Sequence, residues 1–199
     1  MRVDETKYYL DRMDKDEDWD KLQFASAKDQ RSKYDCALSL LEPTCKTILQ
    51  VGSAFNSYRK FMISDNLEYE LHTIEIIDEM FESRDINTSN DILGDFQKYE
   101  FNQKFDAIFI ISTMTFFHKH ESNAMLKKAL SLSDVVIFNT VVGLPMASFN
   151  AYTEDEIYEF AIANDVDPSN VTIIRPGIFP GVENVMTIKF TKTTWLPNK

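Results

Sequence analysis

The stretch TILQVGSAFNSYRKFMISDNLEYELHTIEIID, Thr47–Asp78, decides the fold. An apolar run, Ile48, Leu49 and Val51, ends at Gly52. A helical segment follows, about Ser57–Asn66, and then a second β-rich run, Glu70–Ile76, that carries the acid Glu75 near its end. Strand, tight turn, helix, strand and carboxylate is the order in which α/β proteins hold an adenosine ribose. The turn brings the ligand against the backbone, and the acid takes the two hydroxyls. Here the turn reads Gly52-Ser53-Ala54-Phe55-Asn56, with one glycine where such loops usually carry two or three. The pattern predicts a nucleotide-like cofactor held over an altered loop.

The rest of the chain extends the same alternation. Upstream, Ala27–Leu41 places Tyr34, Ala37, Leu38 and Leu41 at helical spacing, and Pro43 stops that helix. Downstream, Asp78–Ser83 reads as a short helix and Asp91–Leu93 as a short strand before Gly94-Asp95. The continuous apolar run KFDAIFIIS, Lys104–Ser112, suits a central parallel strand. Ser122–Leu132 is helical and Ser133–Asn139 is another buried strand. Thr153–Asn164 opens with a capping box, Thr153 and Glu156. Two β-rich runs close the chain, Val171–Arg175 and Asn184–Thr194, joined around Pro180-Gly181; their close spacing predicts an antiparallel hairpin. The expected fold is α/β: a Rossmann-like, doubly wound, seven-stranded sheet, mostly parallel, with an antiparallel C-terminal hairpin.

Composition narrows the function. The 199 residues are 44% hydrophobic, which suits a single domain over residues 1–199. Within it, residues 1–20 form an acidic arm or lid, 21–43 the N-terminal helix and 44–199 the core. The arm carries eight acids against four bases. A formal net charge of -11 repels nucleic acid backbones and anionic membranes, so a nucleic acid partner is disfavoured. No apolar stretch approaches the roughly 20 residues of a membrane span, and the polar start carries no secretory signal. Cys36 and Cys45 have no metal or redox spacing, and reduced thiols in a cytoplasmic protein are the expectation.

On these residues the chain resembles the class I S-adenosylmethionine-dependent methyltransferases, from about Asp20 to Thr194. ILQVGSAFNS is similar to their first motif, nearer LDxGxGxG in consensus, and LHTIEI to the second. ILGDF resembles the segment that flanks the adenine, KFDAIFIIS the fourth strand, and the closing pair the reversed seventh strand. More weakly, FASAKDQRSKYDCALSLL resembles the N-terminal helix of nodulation-type N-methyltransferases. Two departures stand out: Gln50 replaces the usual acid of the first motif, and Ser53, Ala54 and Asn56 stand where glycines or small residues are common.

The resemblance implies S-adenosylmethionine as cofactor and names candidates. Gly52, with Ser53 and Ala54, would let the cofactor near the backbone, and Phe55 has to point away. Glu75 offers two coplanar acceptors to a ribose, with Ile76 beside it. Asp95 would accept from the adenine amine, with Phe96 packed on the ring. Ser112, followed by Thr113 and Met114, ends the central strand, where open α/β sheets bind ligands. Arg31 and Tyr34, three apart on one helical face, would reach the cofactor carboxylate. His118, in FFHKH with His120, is the candidate general base, because imidazole titrates near neutral pH. No third ligand makes HKH a metal site. The implied activity is in-line methyl transfer to a small or medium-sized acceptor, an amine among them. No NPPY- or DPPY-like run follows the fourth strand, which argues against exocyclic amines of bases and against glutamine amides. The alternatives are an inactive methyltransferase-like binding module or partner subunit, and a nicotinamide-dependent oxidoreductase. The latter rests on the acid 23 positions after Gly52 and lacks the G-x-G-x-x-G loop.

Overall fold

A computed structural model describes Met13 and residues 15–17, 26–114, 117–141, 151–180, 182 and 185–192. The acidic arm, apart from Met13 and residues 15–17, lies outside the described residues, as do Gly181 of the expected turn and the segment 142–150.

Chain order is α1 (Ala27–Leu38), β1 (Thr47–Val51), α2 (Ser57–Ser64), β2 (Glu70–Glu75), α3 (Asp78–Glu82), β3 (Asp91–Leu93) and β4 (Ala107–Ile110). Then follow α4 (Lys119–Leu132), β5 (Val135–Val141), α5 (Glu154–Ala163), a 3₁₀ turn (Pro168–Asn170), β6 (Val171–Ile174) and β7 (Val185–Thr191). The seven strands form one sheet in the order β3-β2-β1-β4-β5-β7-β6. From β3 to β5 all pairings are parallel; β7 runs antiparallel to both β5 and β6. This is the architecture expected from the alternating pattern.

The central strands are apolar throughout because helices cover both faces. Leu49, Val51, Ile108, Ile110, Val136 and Phe138 pack beneath α4 and α5 against Leu126, Ala129 and Ile157. Their neighbours Ile48, Ala107, Phe109 and Ile137 face the other way, onto Tyr34 and Ala37 of α1 and Tyr58 and Met62 of α2. Period-two alternation within each strand thus feeds two separate cores.

Element boundaries differ from the sequence reading where side chains intervene. Helix α1 stops at Leu38, three residues short, where the Ser39 amide donates back to Asp35 O at 2.9 Å. Helix α4 starts at Lys119 rather than Ser122, because the Glu121 carboxylate accepts from the His118 amide at 2.9 Å and caps the turn. The capping box at Thr153 and Glu156 forms as read. Strand β5 runs to Val141, two residues beyond the expected end, because β7 pairs with it along its whole length. Both cysteines are free thiols, and among the described residues no helix is long and apolar enough to cross a membrane.

Candidate functional site

Strand order reverses between β1 and β4: the chain leaves β1 for β2 on one side and later returns to β4 on the other. Crevices open at such points beyond the carboxyl ends of the strands. A cavity of about 400 Å³ lies there, on the α4 side of the sheet. Val51 and Gly52 contribute from the end of β1, Ile74 from β2, Ile76 from just beyond it, and Gly94 to Gln97 from the loop after β3. Thr113, Phe117 and the first two turns of α4, including His120 and Glu121, close the other side. Its volume falls in the range of roughly 300–1,000 Å³ of small-molecule sites.

The walls are apolar with a few polar points. Ile76 keeps 58% of its surface exposed, although large apolar side chains are ordinarily covered. Phe96 is buried and held in place by Lys128, whose ammonium sits 5.5 Å from the ring centroid. That ammonium also donates to the carbonyls of Gln97 at 3.0 Å and Tyr99 at 2.7 Å, pinning the loop that carries Phe96. Asp95 turns one oxygen to the Gln97 amide at 2.9 Å, and its other oxygen meets Lys98 at 3.2 Å at the surface. Two carboxylates, Asp95 and Glu121, line the cavity, and no lysine or arginine does among the described residues.

Gly52 is there for a steric reason. Its φ is +69°, and a Cβ at this position would lie 2.5 Å from Thr113 Cγ2 and Oγ1. Thr113 is itself tied down, its hydroxyl donating to Val51 O at 2.9 Å. The absence of a side chain at Gly52 is what lets β1 and the β4 loop close together beside the cavity.

Of the expected cofactor residues, Gly52, Ile76, Asp95 and Phe96 line this cavity. The others sit elsewhere. Glu75 is 4% exposed and faces inward: Oε2 accepts from the Ala54 amide at 2.6 Å, and Oε1 accepts from the Ile76 and Ile77 amides at 2.9 and 3.1 Å. Both oxygens expected to face a ribose are thus engaged by backbone amides; adjacent strand-end residues point opposite ways, and Ile76 takes the cavity side. Burial pushes the Glu75 carboxyl above the ordinary carboxylate range, against the pull of those amides and of the nearby Arg84 charge. Ser53 and Ala54 are buried behind Gly52, contacting Arg84 and Glu75 rather than the cavity. Phe55 points away, as expected, into a small cluster with Ala54, Ile77 and Met80, on which Met13 packs.

Ser112 does not line the cavity either. It holds φ +58°, and its amide donates to the Asn139 carboxamide at 2.6 Å; Thr113 is the residue that faces inward. Arg31 and Tyr34, expected at the cofactor carboxylate, do not line this cavity. Arg31 bonds Asp35 and Asp65 and covers the Phe61 ring, and it is held above its ordinary pKa by those two carboxylates. Tyr34 stacks on Tyr58 at 4.7 Å and accepts from Gln50 Nε2 at 3.2 Å, on the opposite face of the sheet. Gln50, the departure from the first motif, is fully buried there. His118 is the exposed N-cap of α4, and His120, stacked on it at 5.7 Å, is the histidine at the cavity. No group of three metal-ligating side chains occurs among the described residues.

No protein-family model matches the sequence, and no curated protein matches it. Solved structures do resemble it. Magnesium protoporphyrin IX methyltransferase from Synechocystis PCC 6803, with bound S-adenosylmethionine, superposes with a TM-score of 0.61 at 11% identity, over 96% of this chain and 93% of that one. The glycopeptide N-methyltransferase MtfA, complexed with S-adenosylhomocysteine, gives 0.62 at 8% identity, over 97% and 99%. An amino pentose methyltransferase from Micromonospora echinaspora gives 0.62 at 11% identity, over 85% and 93%. The fold of this chain is that of the class I S-adenosylmethionine-dependent methyltransferases.

Proposed function

We propose that the protein is an S-adenosylmethionine-dependent methyltransferase acting on a small or medium-sized acceptor, an amine among the candidates. The carrying observation is the cavity at the β1/β4 switch point, walled by Gly52 on one side and by Ile76, Asp95 and Phe96 on the other. Such a set fits an adenosine. Exposed Ile76 and the Phe96 ring offer apolar faces to a flat heterocycle. The Asp95 oxygen that meets only Lys98 at the surface can accept from an exocyclic amine. Bound there, S-adenosylmethionine supplies an activated methyl group on a sulfonium centre. Two carboxylates, Asp95 and Glu121, belong to the lining and make it more hospitable to a cationic ligand than to an anionic one.

The protein's own part is orientation. Gly52 admits close approach to the backbone, and Thr113 sets the distance between the β1 and β4 loops. Ser53, Ala54 and Glu75 build the buried wall behind Gly52. We assign His120, which lines the cavity, as the group that takes a proton from the acceptor. Alignment of nucleophile and methyl carbon accounts for much of the rate in such a reaction.

Calorimetric titration with S-adenosylmethionine, S-adenosylhomocysteine and NAD tests this reading. Micromolar binding of the first two, with none of NAD, is expected. Binding of NAD alone would transfer the site to the oxidoreductases, and binding of none would overturn the proposal.

A further inference from the structure

We propose that Arg84 is a positioning residue for the cofactor loop, replacing with side-chain bonds what additional glycines do in glycine-rich loops. The inference rests on the methyltransferase reading for its link to the cofactor and on the geometry for the rest.

Three of the five loop residues are left-handed: Gly52 at φ +69°, Ala54 at +45° and Asn56 at +61°. Glycine adopts this region freely and asparagine tolerates it; alanine does not, because its Cβ crowds the following carbonyl. Ala54 is therefore the strained member, and strain persists only where the surroundings over-determine it. They do so here. The Ala54 carbonyl accepts from Arg84 Nε at 2.6 Å, and its amide donates to Glu75 Oε2 at 2.6 Å. The other arm of the same guanidinium donates to Ser53 Oγ at 2.6 Å. One planar fork thus holds two consecutive loop residues, a geometry that lysine lacks.

Arg84 is committed to this place. It is 7% exposed, and its guanidinium carbon lies 4.5 Å from the Phe81 ring centroid. Its remaining nitrogen reaches Thr73 Oγ1 at 3.4 Å, and that hydroxyl donates to Asp91 at 2.6 Å. Asp91 in turn accepts from Arg59 at 2.7 Å and from Asn56 Nδ2 at 3.3 Å, so the far end of the loop is tied to the same buried network. Burying a cation is costly unless it is bonded on all sides, and the bonds of this one converge on the loop.

The test is a suppressor experiment. Arg84→Met is expected to weaken S-adenosylmethionine binding by about ten-fold and to speed amide hydrogen exchange across residues 52–56. Adding Ala54→Gly, which removes the left-handed penalty, is expected to recover most of that affinity and of the exchange protection. Arg84→Lys, which keeps charge but not the fork, should behave like Arg84→Met and serves if the methionine variant does not fold. Wild-type binding and exchange in Arg84→Met, or a defect that Ala54→Gly leaves unrelieved, overturns the inference. Exchange is read without cofactor. A wild-type chain that binds no S-adenosylmethionine but shows the suppression would therefore sink the methyltransferase reading and leave the bracing role standing.

Discussion

Gly52→Ala tests the geometry of the site most directly. Two costs follow from the structure. At φ +69° a Cβ brings about 1–2 kcal/mol of backbone strain. The same Cβ would lie 2.5 Å from both Thr113 Cγ2 and Oγ1, so Thr113 has to rotate and give up its bond to Val51 O, worth about 1 kcal/mol. The sum is about 2–3 kcal/mol, which lowers the melting temperature of a chain this size by about 5–10 °C. Thr113→Ala alone should cost about 1 kcal/mol for the lost bond. In the double variant the two closest atoms are gone and Thr113 Cβ remains at 3.1 Å, so mainly backbone strain is added. The singles should therefore overshoot the double by about 1 kcal/mol, measured as urea midpoints at constant m-value. Strict additivity, or a Gly52→Ala cost within the range of ordinary surface substitutions, would refute the packing of Thr113 on Gly52 as the reason for the glycine.

Other variants separate support from contact. Glu75→Ala strips three amides of their acceptor and weakens the counter-charge of buried Arg84. It is expected to cost about 3–5 kcal/mol in urea denaturation; full stability with lost cofactor affinity would return Glu75 to ligand contact. Asp91 tests pH dependence. Burial raises its pKa, but bonds from Thr73, Arg59 and the Thr88 amide outweigh this and leave it below the ordinary 3.8. With the folded value depressed, its stabilisation is present above pH 3.8 and lost as pH falls through the folded value. Asp91→Asn should therefore flatten the acid limb of the urea-midpoint profile while lowering the plateau, and an unchanged limb counts against it. Glu75 has the opposite sign: its folded pKa is raised, so its contribution declines as pH rises through that value. His120→Ala, at the cavity, is expected to lower turnover by about 100-fold if it serves as base. His118→Ala should leave turnover near wild type, and the reverse ranking would restore His118.

What sequence alone disclosed follows physical lines. The central strands were readable because burial on both faces demands unbroken apolar runs, as in Ala107–Ile110. That Gly52, Ile76, Asp95 and Phe96 gather at one crevice was readable because topology sets where strand ends lie in an open sheet. Phase was harder: whether Glu75 or Ile76 faces the crevice turns on a single residue of alternation at the last position of β2. The partner of Arg31 was not readable, because helical spacing gives a shared face without saying which way it points, and the side chain bonds Asp65, 34 positions away. Arg84 left no local signal, since its partners Ser53 and Ala54 lie 31 and 30 residues upstream. That omission bears on how the loop itself is judged. Counted as glycines, Gly52–Asn56 reads as eroded; counted as bonds, its strained alanine is held at both backbone groups by buried side chains. Missing glycines and a buried arginine are then two halves of one arrangement. A glycine count gauges the intrinsic cost of a loop conformation, not whether the rest of the protein meets that cost.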